Sequence, residues 1–295
     1  MNQVAEPIGG DRPGTAILML VGGVSSYALM DGFTKIAVVD GADIVTAMWI
    51  RFLFATAFVV AIAVPVHGTT VFRTSGKGLL IVRGVFPLIA SYLAITAFSQ
   101  MPMADVTALL FVAPLFATAL SIPLLGEKVG LFRWAAVIAG FCGVLLIVQP
   151  SPQMQPVTLY PLMTALLFAF FTIMTRRLRL KNHPMAMLFY AMITGCVLML
   201  PVLPFYWQTP SFYQFGLIFL AGFFYAAAQF GVTMAFTLAE ASRLTPFIYT
   251  QIICAIGFGW VVFEEVPILT TWVGTSVIVG SGLIVWNREK SRQMK

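Results

Sequence analysis

Residues 125–134 read LGEKVGLFRW and residues 263–272 read FEEVPILTTW. In each, a glutamate is followed seven places on by a tryptophan, and the copies stand 138 residues apart: Glu127 to Glu265, Trp134 to Trp272. Holding that offset without a gap, Gly84 falls on Gly222, Phe86 on Phe224, Ala97 and Phe98 on Ala235 and Phe236, and Thr107 on Thr245. Ala117 then falls on Ala255, Leu131 on Leu269 and Leu145 on Leu283, so the echo runs through three successive apolar segments. Upstream, an offset of 141 sets Tyr27 on Phe168, Thr34 on Thr175 and Lys35 on Arg176. The spacing predicts one structural unit used twice, residues 1–150 and residues 151–295.

The surroundings say what kind of unit it is. Of 295 residues, 60% are hydrophobic and 9% charged, with a mean hydropathy of +0.94, whereas a soluble domain carries about 25% charged residues. Hydrocarbon roughly 30 Å thick is crossed by about 20 apolar residues in a helix, and nearly the whole chain divides into such segments. The alternating apolar and polar pattern of a membrane barrel is absent, which leaves helices. Charges, Gly/Pro clusters and Asn/Asp predict ten spans, at 14–38, 43–64, 76–99, 103–124, 129–149, 156–178, 184–206, 211–238, 242–263 and 267–287. The mixed-charge stretch MNQVAEPIGGDRPG precedes an apolar run too long for a leader, so the first span is expected to be retained.

With ten spans, fifteen of the seventeen basic residues sort to one side and only Lys35 and Arg51 to the other. The positive-inside rule then places both termini in the cytoplasm. A net charge of +6 needs no nucleic acid, since TRRLRLKNH at 175–183 reads as a cytoplasmic loop beside anionic lipid. Five spans per unit is an odd number of crossings, so the second unit enters from the opposite side. Expected, therefore, is an all-α integral membrane protein with ten transmembrane helices as two inverted five-helix repeats around a central cavity, a construction suited to alternating access. Glu127 and Glu265 would mark the same corner of each unit at opposite leaflets, in structural roles.

The stretch APLFATALSIPLLGEKV (113–129), its weaker copy YTQIICAIGFGWVVFEEV (249–266) and WIRF (49–52) resemble the ten-helix EamA-type exporters of the drug/metabolite transporter superfamily. The second copy departs from that pattern, with Ile252 where the family often has proline and Glu264 where it has glycine, which leaves open which helix bends. The resemblance implies export of small metabolites, amino acids and aromatic ones among them, across the cytoplasmic (inner) membrane of a bacterium. It implies a cavity lined mainly by spans 1, 3, 4, 6, 8 and 9, with spans 5 and 10 to one side.

Charges inside a membrane are expensive and by default mark function. Asp31, Lys35 and Arg51 fall toward one end of their spans, where Asp31 is placed to pair with Lys35 or Arg51. No charge is forced to mid-depth, and His67 and His183 fall in loops, so facilitated diffusion or exchange is expected rather than proton antiport, with Asp31 the residue that could reverse this. Mid-depth polar and aromatic groups are plentiful: Tyr27, Ser91, Tyr92, Phe111, Phe168, Tyr225, Gln229, Tyr249 and Gln251 are the candidate substrate contacts. The repeat pairs Ser91 with Gln229, Phe111 with Tyr249 and Tyr27 with Phe168. Such a lining suits an uncharged or zwitterionic ligand with a large apolar or aromatic part. Pro114 is a candidate hinge, grouped with Asp31, Lys35, Arg51, Glu127 and Glu265 as structural or gating residues.

Small residues at i, i+4 (Ala136 and Gly140, Ala139 and Gly143, Ser276 and Gly280) predict close packing of span 5 on span 10, with a homodimer seam as the other use. The protein is expected to be a monomer or homodimer whose partners are a small-molecule substrate and the bilayer. Cys142, Cys196 and Cys254 stand singly, with neither a disulfide framework nor a metal pair. Neither a cofactor nor a metal is expected. The chain shows no GxSxG, HExxH or phosphate-binding loop, which argues against a membrane enzyme. It also lacks the charge rings or carbonyl filter of a channel.

Overall fold

A computed structural model describes residues 13–74, 76–125, 131–151, 154–178, 182–239 and 241–293. Helices account for almost all of them: α1 (Pro13–Val39), α2 (Ile44–His67), α3 (Lys77–Gln100), α4 (Met103–Leu110), α5 (Ala113–Leu125), α6 (Leu131–Val148), α7 (Tyr160–Leu178), α8 (Pro184–Met199), α9 (Leu203–Tyr206), α10 (Phe212–Leu238), α11 (Ala241–Ile248), α12 (Thr250–Phe263) and α13 (Leu269–Gln293). Among the described residues, seven segments are long and apolar enough to cross a membrane; Trp134–Val148, Pro184–Met199 and Leu269–Ile284 are shorter apolar helices. Together they occupy the ten predicted spans, with α4 and α5 sharing the fourth and α11 and α12 the ninth. The chain is an all-helical membrane protein.

The fourth and ninth spans are broken at equivalent places. In the fourth the α-helix stops at Leu110 and restarts at Ala113; in the ninth it stops at Ile248 and restarts at Thr250. At both breaks tight bonds to the third preceding carbonyl take over, Val112 N–H to Leu109 O at 3.2 Å and Ile252 N–H to Tyr249 O at 3.1 Å. Pro114 sits at the second position of α5, where a missing N–H is no loss. It therefore follows the break rather than kinking a helix from within. The second copy bends at the same place with Ile252 in Pro114's position and Pro246 inside α11.

The equivalent ends of the halves point oppositely. At the C-terminal end of α5, the Leu124 carbonyl accepts a bond from the Arg177 guanidinium, at the end of the bundle where Tyr190 reaches the Phe72 carbonyl. The C-terminal end of α12 instead leads to Glu265, which meets Lys35 and Met103 near the α1–α2 and α3–α4 turns. Glu127 itself lies outside the described residues. Helix packing repeats the same symmetry: α1 runs along α10 as α3 runs along α7, α1 meets α12 as α7 meets α5, and α2 packs on α8. The halves interleave around shared cores such as Met48, Phe52, Met192, Cys196 and Tyr225.

Span 5 packs on span 10, as the small residues predict, through a different pair on α13. A Cβ added to Gly143 would lie 2.7 Å from the Gly274 carbonyl, so the two backbones touch. Gly280 faces open space, and exposed Ser276 donates to its own helix at Trp272 O, so this pair does not make the seam.

The departure at Glu264 has a backbone meaning. Glu264 ends α12 in the left-handed region (φ 57°, ψ 23°), its N–H bonding back to Trp260 O at 3.1 Å. Glycine adopts this conformation without a Cβ clash, whereas another L-residue carries a strain of about 1–2 kcal/mol. Glu264→Gly should therefore raise stability by roughly 1 kcal/mol, measured as a higher melting temperature in detergent. An unchanged or lower midpoint would show the strain to be absorbed elsewhere.

Candidate functional site

Tyr27 lies midway along α1 and Tyr225 midway along α10, with ring centroids 6.4 Å apart. Gln229, one turn beyond Tyr225, donates to its hydroxyl at 3.5 Å, and Phe52 meets the Tyr225 ring edge-on at 6.1 Å. The Arg51 guanidinium carbon lies 5.1 Å from the Tyr225 ring centroid, a cation–π contact worth about 0.5–2 kcal/mol depending on desolvation. Asp43 caps α2 by accepting from Thr46 N–H at 2.8 Å. That cap starts the helix early enough to carry Arg51 about two turns, roughly 12 Å, into the bundle.

A second aromatic contact forms at the helix breaks. Phe111 and Tyr249, equivalent under the repeat, pack on each other with centroids 5.1 Å apart. Equivalent residues from inverted halves can meet only near the axis relating them, so this contact marks the centre of the molecule. The Tyr249 hydroxyl packs against Gly282 of α13, where a Cβ would clash at 2.0 Å. Ser91, Phe168 and Gln251 are half-buried at mid-span, outside these two aromatic contacts. Tyr92 is exposed, its carbonyl accepting from Thr96.

The ion pairs differ from the local expectation. Lys35, one turn after Asp31, pairs not with Asp31 but with Glu265, 230 residues away, and donates to Met101 O at 2.9 Å. It also sits 4.6 Å from the Phe263 ring centroid. The other Glu265 oxygen accepts the Met103 N–H at 2.8 Å, satisfying an orphan donor at the start of α4 where the helix dipole favours an anion. Beside it, Thr271 donates to Asp105 at 2.6 Å. These contacts fasten α1, α4, α12 and α13 together at the end bearing the α1–α2 turn. Glu265 thus joins Lys35 of α1 to the Met103 N–H at the start of α4.

Charge also reaches deeper than the sequence suggests. Asp31, Lys35, Arg51 and Arg83 are all buried. Arg83 ties α3 to α7 and α8, its Nε donating to Thr175 at 2.7 Å and Nη1 to Met187 O at 2.9 Å, with Phe171 beneath it at 4.0 Å. Asp31 forms no ion pair with either Lys35 or Arg51. Sequence reasoning missed the Arg83 tether and the Arg51–Phe52–Tyr225 cluster; the distance of Arg51 from its Asp43 cap was the available signal. No cluster of three or more His, Cys, Asp or Glu capable of holding a metal occurs among the described residues. An apolar groove of about 540 Å³ lies apart, at the rim formed by Trp49, Leu53, Trp207 and Phe212.

The family model described as the EamA-like transporter family matches the chain twice, over residues 14–149 and 156–287. Those are the two halves seen in the fold. The chain is 26% identical over 247 residues to an S-adenosylmethionine uptake transporter of Rickettsia prowazekii, covering 83% of this chain and 84% of that one. It is 29% identical over 288 residues to a riboflavin transporter of Vibrio cholerae, covering 94% and 95% respectively. A solved crystal structure 14% identical in sequence shares the fold, with a TM-score of 0.65 over 96% of this chain and 100% of that one.

The fastening at Glu265 generates a graded expectation. Glu265→Ala removes both the charge opposite Lys35 and the cap on α4; Glu265→Gln keeps an acceptor for Met103 and removes only the charge. Stranding a largely buried lysine destabilises by roughly 3 kcal/mol, so thermal unfolding in detergent should rank wild type above Glu265→Gln above Glu265→Ala. Equal midpoints for all three would reduce the contact to a surface pair.

Proposed function

Because the chain belongs to the EamA-like transporter family, we propose that it is a carrier moving small organic metabolites across the cytoplasmic membrane of a bacterium by alternating access. The observation that carries the mechanism is the Phe111–Tyr249 contact at the two helix breaks. A junction between oppositely oriented halves, made by the residues at which both helices bend, lets one half rock on the other while the contact persists. The transporter is not an enzyme: its binding residues orient a solute and release it unchanged.

The proposed substrates join a planar or apolar body to a polar end, aromatic amino acids among them. Tyr27, Tyr225, Phe111 and Phe168 supply ring faces, and Gln229 and Gln251 supply amides that fix the polar end. The named solutes of the relatives, S-adenosylmethionine and riboflavin, are both fused heteroaromatic rings on polar chains. They support that class, with the direction of net flux following the solute gradient. The basic-residue bias supports cytoplasmic termini. Lipid surrounds the bundle, and one chain contains both halves of the site, which supports a functional monomer.

Facilitated diffusion or exchange is the proposed energetic mode. Proton antiport is the second reading, favoured by the buried Asp31 carboxylate. Purified protein in liposomes preloaded with unlabelled L-tryptophan, S-adenosylmethionine or riboflavin should show saturable, counterflow-stimulated uptake of the same labelled solute. Gln229→Ala and Tyr249→Ala should lower that rate about ten-fold, the effect of losing 1.4 kcal/mol of binding, at unchanged expression. Losses proportionate to expression would assign both residues to packing, and non-saturating current would indicate a channel. An imposed pH gradient should leave initial rates unchanged; strong stimulation would establish antiport.

A further inference from the structure

Of the four buried charged residues among those described, two make side-chain hydrogen bonds and two make none. Lys35 bonds to Glu265 and Met101, and Arg83 to Thr175 and Met187. Asp31 and Arg51 are 7% and 3% exposed and make no side-chain hydrogen bond or ion pair to any described residue. Arg51 Nε is wholly enclosed without a partner; its Nη atoms and the Asp31 carboxylate oxygens, equally unbonded, are not wholly enclosed. Taking an ion out of water costs several kcal/mol unless partners replace the hydration. A buried, unsatisfied charge calls for an explanation.

The two residues are placed as a pair. Asp31 lies eight residues before the end of α1 and Arg51 seven after the start of α2, which sets both about 11–12 Å below the same end of the bundle. Each lies within the other's electrostatic reach without forming an ion pair. The Tyr225 ring flanks Arg51, with Tyr27 and Gln229 beside it. An anion alone would satisfy the guanidinium and be repelled by the carboxylate, and a cation alone would do the reverse. A ligand carrying both charges a few bonds apart satisfies both and neutralises the site.

We propose that Asp31 and Arg51 form a receptor for the zwitterionic head of an α-amino-acid group, the ligand's carboxylate on the Arg51 guanidinium and its ammonium on the Asp31 carboxylate. The remainder of the ligand lies along Tyr27, Tyr225 and Gln229. This rests on the carrier reading and narrows it to solutes with an amino-acid head. Arg51 uses its planar fork for the carboxylate, while the unpaired Asp31 supplies acceptors for an ammonium. The adjoining rings then select an apolar or planar side chain.

The test compares L-phenylalanine with 2-phenylethylamine and 3-phenylpropionate, which lack one charge each, and S-adenosylmethionine with 5′-methylthioadenosine, which lacks the amino-acid head. Full-length wild-type protein in liposomes is assayed for counterflow and for competition by each compound. At least one of the two zwitterions should be carried, and each of its truncated analogues should compete about ten-fold or more weakly, the effect of one charge-assisted hydrogen bond. Asp31→Asn should erase the discrimination against 3-phenylpropionate, Arg51→Gln that against 2-phenylethylamine, and Arg51→Lys should retain part of it. The wild-type comparison decides the matter even where a variant fails to fold. Equal competition by zwitterion and analogues, or discrimination surviving both substitutions, would remove the receptor, as would saturable riboflavin flux with neither zwitterion carried. That last result leaves the carrier standing, whereas absence of saturable flux for every compound would remove the carrier reading itself.

Discussion

Hydrocarbon offers a peptide group no hydrogen bond, and from that constraint most of this architecture follows. Each span must close its own backbone bonds, so the chain is helical throughout its crossings. Where a helix breaks, the freed groups must be satisfied nearby within the protein. At Phe111 and Tyr249 short-range bonds do this, and the two side chains cover each other. Charged groups face the same demand. Arg83 meets it with a hydroxyl and a carbonyl, and Lys35 with a carbonyl and Glu265, whereas Asp31 and Arg51 meet it with no described residue. The exceptions to a rule this costly are where a ligand can act.

Inversion turns the same physics into a mechanism. Two copies of one bundle, oppositely inserted, make contacts that recur in pairs: α1 on α10 with α3 on α7, α1 on α12 with α7 on α5. In the proposed alternating-access mechanism, a change that loosens one member of a pair can tighten its counterpart at the other end. The Lys35–Glu265–Met103 fastening holds one end of the bundle together. Close backbone contact at Gly143 and Gly274 gives α6 and α13 a firm seam.

The repeat, the ten spans and their approximate limits were legible in the sequence; the sequence left open which helix bends, and the fourth and ninth spans both break. The candidate contact residues were expected as a set at mid-depth, and the structure separates them by packing. Tyr27, Tyr225 and Gln229 come together and Phe111 meets Tyr249, while Tyr92 stands exposed. The i+4 spacing of Asp31 and Lys35 suggested a pair that does not form, because a partner 230 residues distant reaches Lys35 instead. Family membership narrows the activity to transport; the relatives' differing solutes show that the fold does not specify the cargo.

By itself the sequence determined that this chain is a helical membrane protein built from a duplicated unit of five crossings. Hydropathy acts locally along the chain, and an odd count of crossings dictates inversion without reference to any contact. Only the tertiary structure decided which face of each helix meets protein. Lipid and protein interiors are both apolar, so the amphipathic stripe that orients a helix in a soluble protein is muted here. For the same reason, the separation of two hydrogen-bonded buried charges from two unbonded ones had to await the packing of helices far apart in sequence.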